Sequence, residues 1–134
     1  MGSKGVAGKL RKLKVLIIEE SPHWRLLYQE ILKNEKLEMY LASNIHEGEI
    51  LFAELWDHLK SLDAVVASGG AGQEACENCA FVQSMRIMGY AGPIIAASGD
   101  PDVCDALKQA GCDYSVDGEK RKVPGLVEQV LKIA

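Results

Sequence analysis

The stretch that decides the fold is Asp63-Ala64-Val65-Val66-Ala67-Ser68-Gly69-Gly70-Ala71-Gly72. Its first half is a short apolar run without alternation, which is typical of a parallel strand covered on both faces. Its second half is rich in glycine and predicts an abrupt turn. In an open parallel sheet, ligands bind beyond the carboxyl ends of the strands, so Ser68 stands where a reaction centre is expected.

Four more segments have the character of strands, and helical patterns separate them. Strands are predicted at residues 15–18, 37–42, 64–67, 94–97 and 114–116. Strand and helix therefore alternate five times along the chain. This alternation predicts an α/β fold with a five-stranded, parallel, doubly wound sheet and helices on both of its faces.

Length and charge indicate one folded domain behind a basic arm. The 134 residues are the usual size of a single domain. The first 14 residues contain five basic side chains and no acidic one, whereas the rest of the chain is acidic. We therefore predict a flexible arm over residues 1–13 and a domain over residues 14–134. The arm is the one place where we expect contact with nucleic acid or acidic lipid, because the acidic body disfavours both.

Composition also limits the compartment. No apolar run approaches the roughly 20 residues of a membrane helix, and no signal-peptide pattern opens the sequence. We expect a cytoplasmic protein that does not enter a membrane. The four cysteines are then expected to be reduced thiols.

Polar residues follow the predicted strands at one edge of the sheet. Glu19 and Glu20 come after the first strand, Ser68 after the third and Ser98 after the fourth. The carboxyl ends of parallel strands lie at the same edge, so these four side chains should surround one pocket.

Five motifs give the chain a resemblance to a known family. They are Lys14-Val-Leu-Ile-Ile-Glu-Glu-Ser-Pro, Asp63-Ala-Val-Val-Ala-Ser, Arg86-Ile-Met-Gly-Tyr, Pro93-Ile-Ile-Ala-Ala-Ser and Ala110-Gly-Cys-Asp-Tyr. In this order and spacing, residues 14–134 resemble the receiver domain of bacterial response regulators, the CheY-like family of two-component signalling. The resemblance implies the flavodoxin/CheY-like strand order 2-1-3-4-5.

The resemblance also implies roles for the edge residues. Receivers accept a phosphoryl group from a histidine kinase on an aspartate after strand three, while two acidic residues hold Mg²⁺ and a hydroxyl and a lysine bind the phosphoryl oxygens. Glu19 and Glu20 match the acidic pair, Ser98 the hydroxyl, and Ser68 the acceptor. The lysine has no counterpart, because residues 117–119 follow strand five and Lys120 comes too late unless the loop is rebuilt.

These departures change the expected chemistry. A serine hydroxyl is un-ionised near neutral pH and cannot form an acyl phosphate. Glutamates are one methylene longer than aspartates, which disturbs an octahedral Mg²⁺ site. Loss of the acceptor carboxylate together with the lysine predicts a neutral pocket. We therefore predict a degenerate receiver, or pseudo-receiver, that is not an enzyme, needs no cofactor and acts in signal transduction by protein–protein interaction.

Two other functions remain open. The first is an active receiver with an unusual acceptor, in which case Mg²⁺ would be needed. The second is a thiol or metal sensor, because Cys76 and Cys79 form a CxxC motif near a helix start and Cys104 begins the neighbouring helix. The residues Gly69, Gly70 and Gly72 also precede a helix, a geometry that can bind an anion through backbone N–H groups.

The resemblance further implies the kind of partner. A receiver binds a kinase, an output domain or another regulator, and its output surface lies around helix four, strand five and helix five. Tyr114 corresponds to the switch aromatic of that surface. The same face is where a homodimer is expected.

Overall fold

The computed structural model of the chain describes residues 11–68 and 73–133, and for residues 73–76 it describes the backbone alone. The strands are β1 (Leu13–Ile18), β2 (Leu37–Ala42), β3 (Ala64–Ser68), β4 (Ile94–Ala97) and β5 (Tyr114–Ser115). The helices are α1 (Pro22–Ile31), α2 (Ile45–Phe52), α3 (Gln73–Ile87), α4 (Pro101–Ala110) and α5 (Val123–Leu131). All strand pairs are parallel, in the order β2-β1-β3-β4-β5. The predicted fold class and strand order are therefore confirmed.

The three inner strands form the centre of the core. Every residue of β3 and β4 is buried, and so are the last four residues of β1. Helices cover both faces of these strands, which explains why their sequences are apolar throughout rather than alternating. The register pairs Ile18 with Ala67 and Ser68 with Ala97, so β1, β3 and β4 end at nearly the same level.

Side-chain caps fix the starts of three helices, as the sequence indicates. The Ser21 hydroxyl accepts a hydrogen bond from the backbone N–H of Trp24, and Pro22 follows it as the first residue of α1. Asn44 caps α2 and Asp100 caps α4 in the same way. Such caps satisfy backbone N–H groups that have no partner within the helix. They set where each helix leaves the carboxyl edge of the sheet.

The second helix differs from the single helix that the apolar pattern predicts over residues 45–59. Regular α-helix ends at Phe52, and a π-helical turn (Ala53–His58) continues it. Its wider spacing is seen in the hydrogen bond from Leu59 N to Glu54 O, at 3.1 Å. The wider turn places Trp56 edge-on against Tyr90, with ring centroids 5.3 Å apart.

One arginine ties the end of α3 to the starts of β4 and β5. The Arg86 guanidinium donates to the carbonyl oxygens of Tyr90, Gly92 and Gly111, at 2.8 to 3.0 Å. It also forms an ion pair with Asp113 at 2.7 Å. Five donors in a rigid fork suit this task, because together they reach four oxygens, with Nε and Nη2 sharing the carbonyl oxygen of Gly111.

The start of the described chain is anchored at the opposite edge of the sheet. Arg11 forms an ion pair with Asp63 at 3.2 Å, just before β3. The same carboxylate accepts a hydrogen bond from the backbone N–H of Lys14 at 2.8 Å. Leu13 begins β1, one residue before the predicted start of the domain, and the first ten residues of the predicted arm lie outside the described part.

Candidate functional site

A group of buried polar side chains lies at the carboxyl edge of the sheet. Glu19 follows β1 and is 3% exposed, Ser68 ends β3 and is 8% exposed, and Ser98 follows β4 and is 2% exposed. Burial of polar groups is costly unless they are hydrogen-bonded. The arrangement of these side chains is therefore set by their partners.

Glu19 and Ser68 are in direct contact. The Ser68 hydroxyl donates to Glu19 Oε1 at 2.8 Å across adjacent strands. The other carboxylate oxygen, Oε2, accepts from the backbone N–H of Ser21 at 3.1 Å. Both oxygens of Glu19 are thus held from opposite sides, one by β3 and one by the start of α1.

A lysine completes this group, and here the sequence-based expectation was wrong. Lys120 Nζ lies 2.7 Å from Glu19 Oε1. The two side chains are 14% and 4% exposed, which makes this the most buried of the described ion pairs. The pocket therefore holds a carboxylate–ammonium pair rather than the neutral set of groups that we predict from the sequence. We call Glu19, Ser68 and Lys120 the edge triad.

The loop after β5 explains how a late lysine reaches the pocket. Asp117 and Gly118 both have left-handed backbone conformations, with φ values of 52° and 87°. A β-carbon on Gly118 would lie 2.9 Å from Pro101 Cγ, so the loop approaches α4 at a point that only glycine tolerates. The 3₁₀ turn Lys120–Lys122 follows directly and directs the first of its lysines inward.

Two aromatic side chains from α1 enclose the edge triad. Lys120 Nζ lies 5.0 Å from the centroid of the Trp24 ring, a cation–π distance. Trp24 is half-buried and in turn contacts Tyr28, with centroids 5.8 Å apart. The ammonium is thus placed between a carboxylate and an indole. The sequence shows Trp24 and Tyr28 one turn apart but predicts only packing roles for them.

The Tyr28 hydroxyl is fully buried beside this charge pair. Burial and the negative charge of Glu19 raise the pKa of Tyr28 well above its usual value. The hydroxyl lies close enough to Glu19 and Ser68 for both side chains to influence its pKa, although it makes no hydrogen bond of good geometry with a described residue. The phenol is therefore a buried polar neighbour of the edge triad with weakly satisfied hydrogen bonding. Sequence reasoning missed it because nothing in the pattern gives the direction of its ring.

The remaining predicted pocket residues have other contacts. The Ser98 hydroxyl accepts from the backbone N–H of Asp100 at 3.0 Å and so shapes the turn before α4. Glu20 is exposed, whereas its neighbour Glu19 is buried. The backbone oxygens of both glutamates accept hydrogen bonds from Arg25, at 2.8 and 2.9 Å. Glu19 and Ser68 are thus in contact, whereas the Ser98 hydroxyl is engaged in the turn before α4.

The donor set does not fit the Mg²⁺ ion that receivers use. Mg²⁺ demands near-ideal octahedral oxygen ligands, of which carboxylates are the strongest. In the edge triad, one oxygen of Glu19 already accepts from Lys120 and from Ser68, and the other accepts from Ser21. Over the described ranges, no group of three or more His, Cys, Asp or Glu side chains is arranged to hold a metal.

The predicted thiol and glycine sites are only partly within the described residues. The described part of the chain does not include Gly69, Gly70 and Gly72, nor the side chain of Cys76. Cys79 is half-buried and Cys104 is buried, and neither forms a disulfide. The Cys104 thiol points to the backbone oxygen of Ser98 at 3.5 Å.

The fourth cysteine is buried away from solvent. Burial is the main cause that raises the pKa of the Cys112 thiol to about 12. A thiol of this kind stays protonated near neutral pH and is a poor nucleophile. Cys112 is therefore best described as a small core residue.

The predicted output face is exposed at its aromatic position. Tyr114 in β5 is 42% exposed and lies on the edge strand of the sheet. Next to it, a cavity of about 450 Å³ lies between the end of β5 and α5. Its lining includes Ser115, Arg121 and Gln129.

No helix in the described part of the chain is long and apolar enough to span a membrane.

The fold is similar to solved receiver domains. A CheY-like response regulator receiver domain protein from Methanospirillum hungatei JF-1 has a TM-score of 0.70 at 14% identity, over 90% of this chain and 94% of that chain. Chemotaxis protein CheY4 of Vibrio cholerae has a TM-score of 0.69 at 15% identity, over 92% and 99% of the two chains. A response regulator receiver domain protein from Clostridium thermocellum has a TM-score of 0.68 at 15% identity, over 90% and 94%.

These likenesses establish the fold and nothing finer. No protein family and no curated protein matches the chain by sequence. The function must therefore be argued from the residues of the pocket, because one fold hosts many functions.

Proposed function

We propose that this chain is a degenerate receiver domain, a cytoplasmic signalling module that binds a protein partner without being phosphorylated. The observation that carries the proposal is the edge triad, in which Lys120 is paired with Glu19 instead of with an acceptor on β3. In this proposal the chain is not an enzyme and uses no cofactor. Its partner is a kinase, an output domain or another regulator of a signalling pathway.

The residue at the acceptor position supports this proposal. Ser68 is neutral, and its proton already lies on the hydrogen bond to Glu19. A phosphoryl group on serine would be a phosphate monoester, and uncatalysed hydrolysis of such esters is among the slowest reactions known. A modification of that kind could not report a transient signal, because a catalyst for its removal would be needed.

The position of the lysine supports it as well. Phosphoryl transfer needs a positive group directed at the oxygens on which negative charge develops. Lys120 would have to leave Glu19, and breaking a buried pair strands a charge at a cost of about 3–5 kcal/mol. Trp24 holds the same ammonium from the other side. The triad thus favours a pocket with one stable arrangement.

A module of this kind presents a surface that does not depend on phosphate. The face built by α4, β5 and α5 carries the exposed Tyr114 and is our proposed place for a partner or for a second copy of the chain. In this proposal, binding at that face is constitutive and is regulated by partner concentration or by other domains.

The test is incubation with acetyl phosphate and Mg²⁺, followed by intact mass measurement. We expect no phosphate adduct on the wild-type chain at any time point. A matched reaction with a known phosphorylatable receiver shows that the reagents work. A stoichiometric adduct that disappears in Ser68→Ala would overturn the proposal and establish an active receiver with a serine acceptor.

A further inference from the structure

The second helix and the strand before it carry an unbalanced charge. Residues 37–59 contain five acidic side chains and no lysine or arginine. Three of these carboxylates, on Glu49, Glu54 and Asp57, are exposed on the helical segment. A surface whose charges have one sign attracts partners of opposite charge and repels partners of like charge.

These three carboxylates form no ion pair with another residue in the parts of the chain that the structure describes. Glu47 differs from them, because it accepts hydrogen bonds from the backbone and side chain of Ser43 at 2.7 Å. The nearest following cation, Lys60, lies over the Trp56 ring at 4.7 Å. The three carboxylates are therefore not engaged in close ion pairs with described residues.

The centre of the same face is apolar. Ile50 is 54% exposed, and the exposed Ala53 lies three residues further along the helix. With Glu54, Asp57 and His58 they line a shallow depression of about 410 Å³. The depression is wide open to solvent, and an apolar centre with a polar rim is the arrangement found in protein–protein interfaces. We call Ile50, Ala53, Glu54 and Asp57 the acidic face.

We propose that the acidic face binds a lysine- or arginine-rich segment of a partner protein. In the complex, one aliphatic side chain of that segment packs on Ile50 and Ala53, and its cations pair with Glu54 and Asp57. Charge complementarity selects this partner over an acidic one and accelerates association. Burial of Ile50 supplies the part of the affinity that does not depend on salt.

This surface is separate from the pocket and from the face of α4, β5 and α5. α2 lies in the chain between β2 and β3, at the other end of the sheet order from β5. The inference therefore stands whether or not Ser68 accepts a phosphoryl group, and its test does not involve phosphorylation.

The probe is a fluorescein-labelled peptide in which lysines flank a single leucine, titrated with the full chain at low salt. We expect saturable binding that weakens about tenfold in the double variant Glu54→Lys/Asp57→Lys, which corresponds to about 1.4 kcal/mol. The matched control is Glu35→Lys/Asp105→Lys, which changes the net charge equally at exposed positions elsewhere. We expect less than a twofold effect from it.

The apolar part of the proposal is tested with Ile50→Ser and with a peptide that has serine in place of leucine. Each change alone should weaken binding several-fold. Combining Ile50→Ser with the serine peptide should weaken binding little more than either change alone, because both remove the same contact. Equal losses in the acidic-face and control variants would show non-specific attraction and would overturn the proposal, as would a wild-type chain that does not bind. A chain without residues 1–10 that binds about tenfold more tightly would identify its own basic arm as the occupant, which would also overturn it.

Discussion

Lys120, in the turn before the last helix, contacts Glu19, at the end of the first strand, with 2.7 Å between Nζ and Oε1. Ser68 donates to the same oxygen from the central strand. Three distant parts of the chain thus converge on one atom.

The contributions of Glu19 and Lys120 to the free energy of unfolding should be strongly coupled. We expect Glu19→Gln and Lys120→Met each to lower the free energy of unfolding by about 3–5 kcal/mol, because each strands a buried charge. The double variant should lose much less than the sum of the two, because no charge then remains unpaired. Urea unfolding of the four proteins measures the coupling.

The exposed pair of Lys33 and Glu30 provides the control, because its side chains are 69% and 72% exposed. Its coupling energy should be below about 0.5 kcal/mol. If both cycles give equally small values, the edge triad contributes nothing specific to stability.

Adding a carboxylate on β3 should create metal binding. Ser68→Asp places a second carboxylate beside Glu19, where the single ammonium of Lys120 must serve both, and without Mg²⁺ the remaining repulsion should lower the melting temperature. Millimolar Mg²⁺ should then raise the melting temperature of this variant and leave the wild type unchanged, because a ligand stabilises only a state that binds it. Ser68→Asn is the isosteric control and should not respond to Mg²⁺. A Mg²⁺ response of the wild type would contradict our account of the donor set.

Removal of the buried Tyr28 hydroxyl should not harm the protein. Tyr28→Phe deletes a group that makes no hydrogen bond of good geometry with a described residue, so we expect stabilisation of up to about 1 kcal/mol near neutral pH. Destabilisation by a similar amount would show that the hydroxyl has a partner, such as a bound water. Chemical unfolding at pH 7 distinguishes these results.

The same variant has a distinct pH dependence. The folded-state pKa of Tyr28 is raised above its unfolded value near 10. The stability associated with the protonated phenol is therefore complete below pH 10 and is lost as the pH rises further, because the unfolded chain ionises first. Above pH 10, wild type should lose stability more steeply than Tyr28→Phe, by roughly 1.4 kcal/mol per pH unit at most. Parallel pH profiles would contradict the burial of the hydroxyl.

The same substitution should have opposite effects at two glycines near the triad. Gly118→Ala meets Pro101 and forces an alanine to a φ of 87°, so we expect a loss of about 1–3 kcal/mol. Gly125→Ala lies in α5 with nothing within 4 Å, so it should stabilise by up to about 1 kcal/mol. Displacement of Lys120 in the first variant should also change the fluorescence of Trp24. Equal effects at both positions would argue against a tight turn at Gly118.

The arginine that joins α3 to two strands should be irreplaceable by lysine. Arg86→Lys keeps the charge but cannot reach several carbonyl oxygens at once, so we expect it to lose nearly as much stability as Arg86→Ala, about 2–3 kcal/mol. Arg121→Ala, at an exposed arginine, should change stability by less than about 0.5 kcal/mol. Thermal unfolding compares the three variants. Full rescue by lysine would mean that charge alone matters at this position.

The elements of the fold were predictable because their signals are local. Apolar runs at β1, β3 and β4 and the caps Ser21 and Asp100 are read from a few neighbouring residues. The π-helical turn after Phe52 was not predicted, because one added residue per turn barely alters an apolar pattern. The turn coincides with the packing of Trp56 on Tyr90, a contact between residues 34 positions apart that a local pattern does not show.

The site was predicted only in part, for a related reason. Glu19 and Ser68 end adjacent strands, so topology alone brings them together. Lys120 reaches them because Asp117 and Gly118, in the loop after β5, both have left-handed backbone conformations. An alignment that counts residues after the strand does not predict such a reversal of the loop. An aspartate followed by a glycine is the one signal that favours such a reversal.

The anchoring of Lys120 has a consequence for the nascent chain. Glu19 precedes its ammonium partner Lys120 by 101 residues in the chain, so the carboxylate is synthesised first. Until Lys120 follows, the first strand carries a carboxylate without its counter-charge, and closing the sheet around it is unfavourable. A second link of the same kind joins Asn34 to the backbone oxygen of Ile133, at 3.4 Å. A chain truncated before Lys120 therefore lacks the group that pairs with Glu19 where this carboxylate is buried.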